Sequence, residues 1–136
     1  MTKNPPKDFA GLLQGVEVLE RTASNPPVSD VVYDSRCVTA GAMFVAMQGG
    51  TTDGNRYVEN ALQQGAAAIV TDSDSTWNRL RAAHPELALA KVENGRRALA
   101  AISANFFEHP EGKLYLSGVT GTNGKTTITY LLESML

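Results

Sequence analysis

A single cysteine, Cys37, excludes an internal disulfide. The lone thiol fits a reducing compartment and reads as a bystander rather than a nucleophile. No apolar run approaches the roughly 20 residues of a membrane span, and Met1-Thr2-Lys3-Asn4-Pro5-Pro6-Lys7 lacks the apolar core of a signal peptide. The only two histidines, His84 and His109, lie far apart with no carboxylate or cysteine at ligand spacing, so both read as surface or cap residues rather than metal ligands. Basic residues number 12 against 14 acidic, a net charge of −2. With no basic block, an electrostatic nucleic-acid footprint is not expected. Arg96-Arg97 is read as a solvated helix face. There is no internal repeat and no low-complexity tract. These absences describe a soluble cytoplasmic chain with neither nucleic acid nor membrane as partner.

What is present suits a packed α/β protein. Apolar residues make up 43% of the 136 and charged residues 19%, enough to bury a sizeable core. Residues 1 to 7 read as a leader, after which Asp8 can cap a short helix carrying Phe9, Leu12 and Leu13. Val16-Glu17-Val18-Leu19 alternates like a strand. Val31-Val32-Tyr33 is a second strand, leading into Asp34-Ser35-Arg36, and Met43 to Met47 is a third. Asp53-Gly54 is a turn signal. Tyr57, Val58, Ala61 and Leu62 then share a helical face that Gly65 ends. Ala66 to Val70 is a strand, Ser75 to Ala83 a helix with Trp77 and Leu80 on one face, and Leu87 to Val92 a strand. Asn94 caps a helix on which Leu99, Ile102 and Phe106 share a face. Trp77 and Tyr115 are expected in the core. The grammar is βαβ: a mixed, partly parallel sheet flanked by helices.

The most specific stretch is Ser117-Gly118-Val119-Thr120-Gly121-Thr122-Asn123-Gly124-Lys125-Thr126-Thr127. Leu114-Tyr115-Leu116 before it reads as a buried strand. Ile128, Leu131, Leu132 and Met135 after it fall at i, i+3, i+4, i+7, one helix face. A glycine-rich turn between a strand and a helix N-terminus is the setting of a phosphate-binding loop. Gly121 and Gly124 let backbone N–H groups close round phosphate oxygens. Lys125 would reach the terminal phosphates and the Thr126 hydroxyl a Mg²⁺ ion. The strict GxxxxGK[ST] pattern is not met, because Val119 stands where its first glycine would be.

Thr120-Gly121-Thr122-Asn123-Gly124-Lys125-Thr126-Thr127 resembles the ATP loop of the Mur ligases, cytoplasmic enzymes that build the peptide of the bacterial cell-wall precursor. Upstream, Asp34-Ser35-Arg36, Gly41, Phe44, Ala46, Gly49, Asp53-Gly54, Ala61 and Gly65-Ala66 are similar, in order and spacing, to the substrate-binding N-terminal domain of the E and F types. With Tyr130-Leu131-Leu132-Glu133 after the loop, the likeness covers residues 28 to 136 and is greatest to the E type. That type adds a diamino acid, such as diaminopimelate or lysine, to UDP-N-acetylmuramoyl-L-alanyl-D-glutamate.

The resemblance implies a division into residues 1–112, a UDP-substrate-binding domain, and residues 113–136, the first strand, phosphate loop and helix of an ATP-binding domain. It implies ATP and Mg²⁺ in the whole enzyme, held here by Gly121, Thr122, Asn123, Gly124, Lys125, Thr126 and Thr127, with Lys125 catalytic and Thr126 on the metal. It also implies a muramyl-dipeptide substrate whose uridine diphosphate end meets Tyr33, Ser35, Gly50, Thr51 and Thr52. On the residues alone, Asp34-Ser35-Arg36 equally suffices to organise a turn with Asp34 and Arg36 paired.

The chain is expected to be an N-terminal fragment of such a ligase, inactive by itself, since nothing after the loop supplies a second Mg²⁺ ligand or an adenine pocket. An F-type fragment and a free-standing UDP-sugar or nucleotide-binding module are the alternatives. The stripe from Ile128 to Met135 is expected to dock on its own domain or on a second copy, giving self-association through residues 128–136; an isolated ordered helix is the least expected outcome.

Overall fold

The computed structural model describes residues 5–50, 52–114 and 117–135. A two-residue strand β1 (Lys7–Asp8) leads into the one-turn helix α1 (Phe9–Leu12), where the Asp8 carboxylate accepts the Gly11 N–H at 2.8 Å. Strand β2 (Val18–Arg21) follows, then β3 (Pro27–Val28), which pairs antiparallel with β1. The βαβ part consists of β4 (Asp30–Val32), β5 (Ala42–Ala46), α2 (Val58–Gln63), β6 (Ala68–Thr71), α3 (Asp74–Ala83), β7 (Ala88–Val92) and α4 (Gly95–Phe106). Helix α5 (Lys125–Met135) is the last described element.

Five strands form one sheet in the order β2-β7-β6-β5-β4. Strands β4 to β7 run parallel, and β2 closes the β7 edge antiparallel. The expected mixed, partly parallel sheet is what the chain forms. The uninterrupted apolar run of β5 follows from its central place, since a parallel strand covered on both faces has no wet side. Met43 and Val45 pack with Phe9, Leu12, Ile102 and Phe106, under α1 and α4. Phe44 and Ala46 pack with Val58, Trp77 and Leu80, under α2 and α3. Polar caps set where the helices begin: Ser73 Oγ accepts the Thr76 N–H, and Asn94 Oδ1 accepts those of Arg96 and Arg97.

Several local expectations need correction. The second strand begins at Val18 rather than Val16, and Tyr33 lies just past the end of β4. Tyr57 does not join the buried face of α2. It ends the 3-10 turn Gly54–Tyr57 that the Asp53 cap starts, just before α2 begins at Val58, and is exposed. Tyr115 and Leu116 lie outside the described residues, and Leu114 is exposed. His84 and His109 are cap residues, as expected.

The largest correction concerns α5. None of its described residues is buried, and Ile128, Leu131, Leu132 and Met135 are all exposed, so the stripe does not dock on its own domain. The physical reason lies in the sheet. Two helices already cover each face of its central strands, the places an amphipathic helix would otherwise take.

Candidate functional site

Because β4 to β7 are parallel, their carboxyl ends share one rim, where open α/β sheets take their ligands. Tyr33 to Arg36 follow β4, Met47 to Asp53 follow β5, Asp72 follows β6, and Glu93-Asn94 follow β7. The first two loops enclose a cleft of about 490 Å³. Phe44 and Met47 supply its apolar part, while Tyr33, Ser35, Thr52 and Tyr57 bring hydroxyls. That mixture, apolar surface with a few polar groups, suits a small-molecule ligand.

The first wall is built by a turn. Asp34 Oδ1 accepts the Arg36 backbone N–H at 3.0 Å, while Arg36 Nε and Nη2 donate to the same carboxylate at 3.0 and 2.6 Å. On the far side Gln64 Nε2 donates to the Ser35 carbonyl at 2.8 Å. The ion pair makes the turn that the residues alone suggested, and the turn sets Ser35 on the cleft.

The Arg36 side-chain hydrogen bonds, with help from its backbone N–H, hold the Asp34 carboxyl down at about 2 against an ordinary 3.8. The sign follows: a depressed acid contributes fully above 3.8 and loses its contribution as pH falls through about 2. The turn should therefore keep its shape from neutral pH down to pH 4. A ¹³C titration of the Asp34 carboxyl should have its midpoint near 2, rising toward 3.8 in Arg36→Ala. A wild-type midpoint near 3.8 would mean the pair does not hold in solution.

The second wall departs from expectation in part. Thr52 lines the cleft together with Gly49, whereas Gly50 lines an adjoining depression with Asp72, Glu93 and Arg96. Thr51 lies outside the described residues. Three residues here went unnoticed in the sequence. By its spacing Tyr57 reads as part of a helix face, and no motif marks Asn55 or Asp72. The one available signal for Asp72 was its place directly after a parallel strand.

The glycine-rich loop runs exposed into α5. Gly121 has φ +144° and Gly124 φ +76°, backbone conformations that side-chain-bearing residues adopt with strain, so both glycines are needed for the turn. Lys125 Nζ donates to the Gly121 carbonyl at 2.5 Å and to that of Thr122 at 3.4 Å, so the ammonium closes over the loop rather than pointing to solvent. A glycine turn, an ammonium over it and an 11-residue helix behind it are a fitting set for a phosphate group. Among the described residues no three His, Cys, Asp or Glu side chains cluster closely enough to hold a metal ion.

The profile described as Mur ligase family, catalytic domain, matches residues 27–107. The chain belongs to the Mur ligase family. The matched stretch runs from β3 through α4, and so contains the whole cleft and stops short of the glycine-rich loop. A UDP-N-acetylmuramoyl-L-alanyl-D-glutamate--2,6-diaminopimelate ligase of Caldanaerobacter subterraneus subsp. tengcongensis is 42% identical over 125 residues, covering 92% of this Mur ligase chain and 25% of the relative. A UDP-N-acetylmuramyl-tripeptide synthetase of Roseiflexus sp. is 50% identical over 112 residues, covering 82% of this chain and 21% of the relative. Among solved structures, a UDP-N-acetylmuramoylalanyl-D-glutamyl-2,6-diaminopimelate--D-alanyl-D-alanyl ligase from Acinetobacter baumannii superposes with a TM-score of 0.68. It covers 99% of this chain and 29% of its own length at 21% identity, a likeness of fold. The Mur ligase chain thus spans 21 to 25% of the length of these two sequence relatives.

Proposed function

We propose that this chain is the N-terminal part of a cytoplasmic, ATP-dependent ligase of the E type, which adds a diamino acid to UDP-N-acetylmuramoyl-L-alanyl-D-glutamate in peptidoglycan synthesis. In this reading residues 1–112 form the substrate-binding domain. Its cleft takes the uridine diphosphate end of the substrate, with Ser35 and Thr52 offering hydroxyls and Tyr33 its backbone or ring. Residues 113–136 begin the ATP-binding domain. Gly121 to Thr127 would hold the ATP phosphates, with Lys125 beside them and Thr126 toward Mg²⁺. When bound, ATP supplies the driving force for amide-bond formation; this chain's own part is to bind and orient.

The observation that carries the reading is that Tyr33 and Ser35, from the turn after β4, and Thr52, from the loop after β5, line one cleft at the strand carboxyl ends of a chain 42% identical to a diaminopimelate ligase. An F-type parent has weaker support, a fold likeness at 21% identity. A free-standing UDP-sugar-binding module would need the cleft alone.

Titration with uridine diphosphate, followed by amide chemical shifts, tests the site. Shifts are expected at residues 33–36, 49–52 and 57. Ser35→Ala should weaken binding roughly three- to tenfold, the loss of one hydrogen bond of about 0.5–1.5 kcal/mol. No shifts at millimolar ligand, or shifts confined elsewhere, would remove the cleft from consideration.

A further inference from the structure

Asn55 is 5% exposed, and every polar atom of its side chain is used. Its Nδ2 donates to Asp53 Oδ1 at 2.9 Å and to Asp72 Oδ1 at 3.0 Å, and its Oδ1 accepts the Thr71 hydroxyl at 2.6 Å. Asp72 also accepts the Gln48 backbone N–H, at 3.1 and 3.0 Å to its two oxygens. Asp53 Oδ1 takes the Asn55 backbone N–H at 2.9 Å as well. Thr71 is fully buried and receives the Ser73 N–H at 3.1 Å. Gly95 completes the packing. A Cβ there would collide with Met47 and come within 2.8 Å of Asp72 Oδ2, so the start of α4 closes against these two residues only because no side chain intervenes.

These bonds tie both ends of the loop after β5 to the end of β6. Gln48 is held at its start and Asp53-Gly54-Asn55 at its close. Between them the loop is bridged within itself, Gly49 N–H to the Thr52 carbonyl at 3.0 Å and Gly54 N–H to the Met47 carbonyl at 2.9 Å. Asn55 and Thr71 do not line the cleft, whereas Gly49 and Thr52, which they hold through the loop, do. A loop already in its bound shape gives up less conformational entropy when ligand arrives.

We propose that Asn55, Thr71 and Asp72 are positioning residues that pre-organise the loop after β5 for the nucleotide, and so set the affinity of the cleft. The inference rests on the reading of that cleft as a uridine diphosphate site. Half-satisfied buried networks are costly, so the loss of one member should loosen the rest. Asn55→Asp places a third carboxylate against those of Asp53 and Asp72. Thr71→Val keeps the volume and removes the hydroxyl, and Thr71→Ser restores it.

The experiment uses the 136-residue chain and its variants. Amide hydrogen exchange and the dissociation constant for uridine diphosphate are measured on the same samples. In Asn55→Asp and Thr71→Val, exchange at Gln48, Gly49 and Gly54 should accelerate at least about tenfold while Phe44 and Ile69 in the sheet keep their protection. Affinity should fall about tenfold, or ~1.4 kcal/mol, and Thr71→Ser should recover it. Unchanged affinity with a loosened loop would overturn the proposal. So would sheet amides that accelerate in step with the loop, or a loop that stays protected in both variants. A wild-type chain that does not bind uridine diphosphate sinks the reading of the cleft itself, and the inference with it; wild-type binding that the variants retain sinks the inference alone.

Discussion

A Phe44→Ala substitution is expected to destabilise the fold by about 3–5 kcal/mol, the usual cost of emptying a large aromatic site in a core. Phe44 sits mid-strand on β5 and is 1% exposed, packed among the side chains under α2 and α3. The same residue lines the cleft. Its removal should therefore act twice, on stability and on the support of the cleft above it. Against a typical domain margin of 5–15 kcal/mol, the loss is large. Urea unfolding should show a lower midpoint with an unchanged slope, and the melting temperature should fall by roughly 10–20 °C. Leu19→Ala, at an exposed edge position, should cost less than about 0.5 kcal/mol. A Phe44→Ala loss below 1 kcal/mol would mean that β5 is not the centre of the packing.

Mg-ATP should bind this chain no more tightly than roughly millimolar, worth only about 4 kcal/mol. The loop from Gly121 to Thr127 is exposed throughout, and Lys125 is engaged with its carbonyls. Phosphate contacts alone, without a wall for the base and with no acidic cluster for the metal among the described residues, leave most of a nucleotide in water. Helix α5 adds to the weakness. Eleven residues with none buried are marginal in isolation, so its amides should exchange close to unfolded-chain rates. Calorimetry with Mg-ATP checks the affinity and hydrogen exchange checks the helix. Micromolar binding that disappears in Lys125→Ala would instead indicate an independent nucleotide-binding unit. Protection over residues 126–135 that rises with protein concentration would show a second copy covering Ile128, Leu131, Leu132 and Met135.

Much of the cleft was legible because its residues carry local signals. Asp34 and Arg36 stand two apart and complete their pair within one turn, so Ser35 is placed by chemistry that any reader of the chain can see. Asp53-Gly54 likewise announces a turn. The rest depended on distance. Asp72 reaches Asn55 across 17 positions, and neither residue has a neighbour in sequence that signals the contact. Tyr57 looked like part of an apolar helical face, but it closes a 3-10 turn that comes before that helix and has a different period. Gly50 and Thr52 were read as lining one pocket, yet they line two different depressions, a separation that no local pattern signals.

By itself the sequence determined the kinds of element, their approximate limits, the caps at Asp8 and Asn94, and the glycines of the loop before α5. Each of these is settled by side chains within a few residues, where φ preferences and short hydrogen bonds decide. Only the tertiary structure decided the strand order β2-β7-β6-β5-β4, the meeting of the loops after β4 and β5, and the isolation of α5. Those outcomes turn on which apolar faces are already covered when the chain closes. Met43 and Val45 point to one pair of helices and Phe44 and Ala46 to the other, so both faces of the central strand are already taken, and α5 carries its apolar stripe in solvent.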